Sequence, residues 1–356
     1  MNSRISYLIV IILAFWAYIF TPVKGLDLYY YYYEYLPEDK SYTIPEFIMN
    51  QVETNNDFMY RVSLMAVDSI GMPIQLVNMF YVGLYYFLIY KILSCYIIKK
   101  KIRLSSNAVQ FICISSFFSA LPILVFSISR TLSAIVVLYI GIYLILNNKY
   151  VIGLIILFLS ITFHIAALLF LFSLGSGLLF NIFNFSRRIN SHFLFKLSLG
   201  LLGVFFLLGL PVLFSQIQAF ILSLNIFYTY AGTKYFHEDS ISLLDGDYLR
   251  YLTYGKLLLM VVMYLCIISI KKSDILVNFA IPVFLFFCFV SGTMPFVGDR
   301  LMMLIPVLWG TMMLQVMNEY KEKRKNTIIF SGSIVLTLLF SFYCVCFESK
   351  SFFGFL

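Results

Sequence analysis

Two side chains that lipid tolerates poorly, Arg130 and His164, stand in the most apolar part of this chain. A guanidinium can hold phosphate oxygens in a fork, and a neutral imidazole can take a proton from an attacking hydroxyl. The two residues flank a short polar turn, Asn147-Asn148-Lys149, within an apolar run from Ser127 to Leu171. That run predicts two antiparallel membrane-spanning helices, since about 20 apolar residues cross a hydrocarbon core of about 30 Å. Folding the hairpin about residue 148 brings His164 within about two residues of the level of Arg130, or about 3 Å of helix rise. A cation and a base at one depth are a functional-site hypothesis by default.

Arg300 offers a second cation. It closes the stretch Ser291-Gly292-Thr293-Met294-Pro295-Phe296-Val297-Gly298-Asp299-Arg300, a Gly- and Pro-interrupted backbone that membranes tolerate where it lines a cavity. Two arginines at one level suit a pyrophosphate. Each also has a blander reading: an arginine at a helix end can snorkel to headgroups, as Arg250 can, and His164 can be a buried, satisfied histidine. Asp27, Asp247 and Asp299 are alternative bases. Asp245-Gly246-Asp247 has the form of a metal-chelating pair, but it falls on the face where no nucleotide sugar is expected, so no metal is assigned. The tyrosines at 29 to 33 and 35, Tyr30 among them, read either as an interfacial aromatic belt or as a platform for sugar rings.

The elements that must position these groups follow from composition. Of 356 residues, 62% are hydrophobic and 12% charged, with a mean hydropathy of +0.92. Soluble domains carry about 25% charged residues, so the chain is an all-α polytopic membrane protein. The net charge of +8 is no nucleic-acid footprint, because it collects in short clusters between apolar spans. The six cysteines lie in or beside spans without metal-ligand spacing and read as small core residues.

Taken in order, the spans are Ile5 to Phe20, Ile74 to Ile98, Ala108 to Phe126, and the hairpin arms beginning at Arg130 and Tyr150. The apolar stretch from Tyr150 to Phe185 is too long for one helix and predicts two, parted near Gly175. Further spans run from Leu197 to Phe214, to Lys271, from Ile275 to Val290, from Leu301 to Met317 and from Thr327 to Cys346. About eleven spans with a cytoplasmic N-terminus place Lys99 to Arg103, Lys149, Arg187, Arg188, Lys271, Lys272 and Lys321 to Lys325 on one side. Residues 1–356 then form one transmembrane domain. Two larger outer loops, 24–73 and 215–253, share the opposite face with Arg130, His164, Arg250 and Arg300.

Three sets of residues carry a resemblance. They are Gly25-Leu26-Asp27 with tyrosines after it, Arg130-Thr131-Leu132-Ser133-Ala134 opening a span, and Phe163-His164-Ile165-Ala166-Ala167-Leu168 after a short basic turn. With them the chain resembles the Wzy-like, EpsG-like family of bacterial polysaccharide polymerases. Ala166 stands where members often carry a serine. The resemblance implies a GT-C-like architecture and a metal-independent glycosyltransferase that needs no cofactor. Such an enzyme joins undecaprenyl-pyrophosphate-linked repeat units of O antigen or a similar surface polysaccharide on the periplasmic face of the inner membrane. Its catalytic residues would be His164, Arg130 and Arg300, with Asp27, Tyr30, Arg250, Asp247 and Asp299 against the sugars. Its partners would be the lipid-linked oligosaccharides, membrane lipid, a chain-length regulator and a flippase.

Two other classes compete. A lipid-linked oligosaccharide flippase predicts polar residues along both leaflets and an internal repeat, whereas the intramembrane charge here gathers on one side. A membrane acyltransferase modifying a surface glycan would want a histidine early in the chain, and the first here is His164. The whole scheme depends on sidedness: a reporter fused at Asn147 should read as cytoplasmic, and an extracytoplasmic signal there would overturn it.

Overall fold

The structure is a computed structural model, and it describes residues 3–22, 27–54, 58–120, 125–126, 128–164, 167–182, 193–206, 260–270, 275–293 and 300–319. All regular structure among them is helical. In chain order the helices are α1 (Ser3–Ile19), α2 (Asp27–Tyr30), α3 (Leu36–Asp39), α4 (Ile44–Thr54), α5 (Met59–Ser69), α6 (Gln75–Lys99) and α7 (Ser106–Ser119). They continue as α8 (Ser129–Leu146), α9 (Tyr150–Leu159), α10 (Ala167–Ile182), α11 (Phe193–Val204), α12 (Met260–Ser269), α13 (Ile275–Thr293) and α14 (Ile305–Glu319).

Among the described residues α6 and α8 are long and apolar enough to cross a membrane unaided, and they fall on the predicted second and fourth spans. Shorter apolar helices accompany them in α1, α9, α11, α12 and α13. This is a helical membrane protein. The number eleven and the GT-C-like arrangement rest on the sequence.

The hairpin forms at the expected turn, and its chemistry is local. Asn148 takes a left-handed conformation at φ 64°, which asparagine tolerates better than most residues. The Lys149 amide donates back to the Leu144 carbonyl at 2.9 Å and the Asn148 amide to Ile145 at 3.0 Å, closing α8 with a Schellman-type turn. The Asn147 side-chain amide holds the Tyr143 carbonyl at 2.7 Å. α6 ends the same way at Lys101, with φ 52°.

The second arm departs from expectation. α9 stops at Leu159, a 3-10 turn covers Ser160–Thr162, and helix resumes only at Ala167. The expected split near Gly175 is corrected too, because α10 runs straight through Gly175-Ser176-Gly177. Among the described residues the stretch contains two helices, and the first breaks at Ser160. The physical basis of that break is back-bonding: the Ser160 hydroxyl donates to the Leu157 carbonyl at 2.6 Å and the Thr162 hydroxyl to Leu159 at 2.8 Å. Such bonds compete with the helix ladder. Within the predicted third span, α7 ends at Ser119 and Ala120 is extended.

The chain divides into two compact units, 1–172 with 303–356, and 173–302. In the first unit α6 is the central helix. α1 runs antiparallel to it, with Asn78 donating to the Ala17 carbonyl at 3.3 Å and the Ala14 methyl against Gly83. α8 runs parallel, the ring of Tyr85 stacked on Tyr139 at 5.7 Å. Both of those hydroxyls donate to the Met303 carbonyl, at 2.8 and 2.9 Å. α14 packs along α6 and α7, where Trp309 donates to Ser115 at 3.1 Å and Tyr96 to Gln315 at 3.2 Å. One end of this unit gathers Lys99, Asn148, Arg103 and Asn318, with Lys99 donating to Asn148 and the Arg103 amide to Asn318. Arg130 stands at the other end.

In the second unit α11 lies against α12 and α13. The Tyr264 hydroxyl donates to the Lys196 carbonyl at 2.8 Å, and Phe284 packs at Gly203. The Lys196 ammonium donates to the Ile268 carbonyl at 3.0 Å, the negative end of the α12 dipole.

α8 and α9 meet through a pair of glycines. A Cβ on Gly141 would lie 2.9 Å from the Gly153 carbonyl oxygen, and one on Gly153 would lie 2.9 Å from that of Gly141. Gly153→Val should therefore push the hairpin apart and cost about 1 to 3 kcal/mol, lowering the unfolding temperature in detergent. Gly175→Ala, with nothing within 4 Å of an added methyl, should leave that temperature unchanged.

Candidate functional site

The glycine contact fixes the register of the hairpin. Gly141 faces Gly153 there, and Arg130 and His164 each stand eleven residues further along their own arm. Both are buried, Arg130 at 6% exposure and His164 at 1%. Arg130 sits in the first turn of α8, between the buried Ser129 and Thr131, and its carbonyl accepts from Ser133 at 2.8 Å. His164 lies in the joint between α9 and α10. Its amide donates to the Ser160 carbonyl at 3.3 Å, and its own carbonyl accepts from Ala167 at 2.9 Å. His164 thus lies just beyond the break that shortens α9.

Above Arg130 lies the tyrosine run. Residues Tyr31–Tyr35 form a π-helical turn between α2 and α3, and the Arg130 guanidinium sits 5.2 Å from the centre of the Tyr31 ring. A cation over an aromatic face gains about 0.5 to 2 kcal/mol, more when both are desolvated. Tyr31 meets Tyr60 edge-on at 5.2 Å, Tyr60 meets Tyr81 at 5.9 Å, and Tyr81 meets Phe163 at 6.4 Å. A continuous string of rings therefore leads from Arg130 to the residue before His164. The Tyr81 and Ser63 hydroxyls lie 2.9 Å apart and share a hydrogen bond. Burial pushes the Tyr32 and Tyr60 hydroxyls well above the ordinary tyrosine range, so both remain proton donors.

The segment holding these rings is itself pinned. Arg61 grips Asp39 with two hydrogen bonds, Nε to Oδ2 at 2.8 Å and a second from Nη2 to Oδ1. The same guanidinium lies over the rings of Tyr35 at 5.2 Å and Phe47 at 5.0 Å. α4 starts in a capping box: the Thr43 amide and hydroxyl donate to the Glu46 carboxylate at 2.9 and 2.7 Å. Those bonds hold the Glu46 carboxyl below its usual range.

Of the residues singled out from sequence, Arg130 and His164 lie in one unit. Asp27 opens α2, which packs against α8. Tyr30 is half-buried in α2 and meets Tyr29 edge-on at 5.9 Å. The tyrosine run serves neither reading whole: Tyr31 and Tyr32 are buried, and Tyr33 is exposed. Beside Tyr33 a cavity of about 190 Å³ is lined by Tyr18, Thr21, Pro22 and Gln75 among others. Arg300 is buried at 9% exposure and belongs to the second unit. Asp247, Arg250 and Asp299, and with them the loop 215–253, lie outside the described residues.

Reading the sequence missed Tyr60, Ser63, Tyr81 and the Asp39–Arg61 pair. The only signal was an arginine and an aspartate inside a loop, too far apart in sequence to be matched without a fold.

The family model described as EpsG family matches residues 4–355. No curated protein matches the chain, and no solved structure does.

The clamp on the tyrosine segment is directly testable. Asp39 is almost fully buried, and removing its partner strands a carboxylate, which costs about 3 to 5 kcal/mol. Arg61→Ala should therefore lower the unfolding temperature sharply. Replacing both partners, Asp39→Leu with Arg61→Met, should restore most of it.

Proposed function

The chain belongs to the EpsG family, and on that premise we propose that it is a polysaccharide polymerase of the cytoplasmic membrane. The observation that carries this reading is the buried Arg130 under an aromatic segment, in the same unit as the buried His164. The donor would be a glycan on undecaprenyl pyrophosphate, and the acceptor the sugar end of a second lipid-linked repeat unit. The product would be O antigen or a similar surface polysaccharide, formed on the periplasmic face.

In the reaction, an acceptor hydroxyl attacks the anomeric carbon of the donor. The bond from that carbon to the pyrophosphate oxygen breaks, and its electron pair leaves on the lipid pyrophosphate. His164 receives the hydroxyl proton. Arg130 and Arg300 carry the charge that develops on the leaving group, and no metal or cofactor is called for. Pyrophosphate leaves readily, so charge stabilisation matters more here than proton donation to the leaving oxygen. Asp27, Tyr30, Asp247, Arg250 and Asp299 are assigned to the sugars. The exposed Tyr33 and the cavity beside it suit a sugar ring, whose CH face packs on an aromatic face. A chain-length regulator and a flippase are the expected partners.

Deleting the gene should collapse the ladder of surface glycan on a gel to a single repeat. Arg130→Ala and Arg300→Ala should each do the same, at a loss of about 100-fold or more in rate, with the protein still inserted in the membrane. Normal long polymer from both arginine variants would refute the assignment. A change in glycan acylation at unaltered length would point to the acyltransferase class.

A further inference from the structure

The cavity of about 190 Å³ between the end of α1 and the start of α6 gathers polar groups that the fold leaves uncommitted. Tyr18, Thr21, Tyr33 and Gln75 line it, and the rest of its wall is apolar. Among the described residues, none of those four side chains is spent in a hydrogen bond within the protein. Tyr33 is 52% exposed, whereas Tyr31 and Tyr32 of the same turn are buried. The tyrosine run therefore turns one ring outward, and it does so at this cavity.

The cavity is held in shape from within. Asn78, one turn beyond Gln75 on α6 and 1% exposed, donates to the Ala17 and Phe126 carbonyls, both at 3.3 Å. The first of those bonds ties the end of α1 to the head of α6. Tyr33 lies against Tyr29 with ring centres 4.9 Å apart, and Tyr18 stacks on Phe15 at 6.4 Å. Both rings are thus placed before a ligand arrives, which lowers the ordering cost of binding.

The lining selects the ligand. An aromatic face accepts the CH face of a pyranose. The Gln75 amide offers a donor and an acceptor together, and each hydroxyl can serve as either, which matches the hydroxyls of a sugar. The volume is that of about six waters at about 30 Å³ each, room for one ring and not for a chain. Among the described residues no charged side chain lines it, so a carboxylate or phosphate there would lose water and gain no cation. Glu34, exposed and next to Tyr33 in the chain, adds repulsion. A lipid tail would strip water from the four polar groups and offer them nothing.

We propose that Tyr18, Thr21, Tyr33 and Gln75 form a subsite for one uncharged sugar ring, with Tyr33 as its stacking face. The subsite rests on the polymerase reading for the glycan that carries the ring. It adds a selectivity which that reading did not contain, neutral sugars over uronic acids.

The test is saturation-transfer NMR on the full-length protein in nanodiscs. The probes are glucose, galactose, N-acetylglucosamine and glucuronic acid, and the variants are Tyr33→Phe, Tyr33→Ala and Gln75→Ala. At least one neutral sugar should bind, and glucuronic acid should not. Tyr33→Ala and Gln75→Ala should each weaken that binding about three- to tenfold, as expected for a lost ring contact or hydrogen bond, at an unchanged unfolding temperature. Tyr33→Phe keeps the ring and should lose less than Tyr33→Ala.

Absence of neutral-sugar binding, or affinities unchanged in both alanine variants, would overturn the subsite and leave the polymerase reading in place. Glucuronic acid bound as tightly as the neutral sugars would overturn it as well. Sugar binding that depends on Tyr33 and Gln75, together with a normal glycan ladder in the deletion strain, would have the opposite meaning. The subsite would then be real and the polymerase reading wrong.

Discussion

A guanidinium withdrawn from water is the constraint on which the first unit turns. Desolvating such a charge costs several kcal/mol even after relaxation, and Arg130 is buried in a helix of otherwise apolar and small polar residues. What offsets it comes from a different part of the chain. The tyrosine run arrives over the head of α8, Tyr31 offers its ring face, and that ring is backed in turn by Tyr60 and Tyr35. The segment from 27 to 69 is thus a cover built to fit the cation. Asp39 and Arg61 tie its two halves together, and a second bridge joins Lys40 to Asp68 at 3.0 Å. The two bridges differ in weight. The exposed one contributes little in water, whereas the buried one positions rings.

The same unit is polarised from end to end. Lysines and asparagines gather where α6 and α8 finish, and Arg130 and His164 sit where α8 begins and α9 breaks. Parallel α6 and α8 make this geometry unavoidable: their C-terminal ends coincide, and so do their N-terminal ends. Dipoles of parallel helices add, so the Arg130 end collects N-terminal partial positive charge from both. Lys99 at the far end meets the negative termini. The backbone favours Lys99 at its end and adds to the cost of burying the Arg130 cation at the other.

Much of this was legible in the residues. The hairpin could be read because Asn147-Asn148-Lys149 interrupts an unbroken apolar run, and asparagine supplies the left-handed turn. The break in the second arm was not legible, since Ser160 and Thr162 look like ordinary helix residues until their hydroxyls are seen bonded to the preceding turn. Gly175 and Gly177 misled for the converse reason: glycines suggest a joint, yet α10 runs straight through both. The tyrosine run could be recognised as unusual, but its division into buried and exposed rings depends on Tyr60 and Phe47, which only folding brings near.

The helix break also bears on chemistry. Had α9 continued as a regular helix, His164 would occupy one position on a rigid face. Instead the imidazole stands at a joint whose 3-10 turn packs against α8, close to the string of rings through Phe163 and Tyr81. Non-helical backbone at membrane depth survives only where protein or a water-lined cavity satisfies it. Here the Ser160 carbonyl and the Ala167 amide bridge across the joint. A joint held in this way fixes His164 in place without enclosing it in helix.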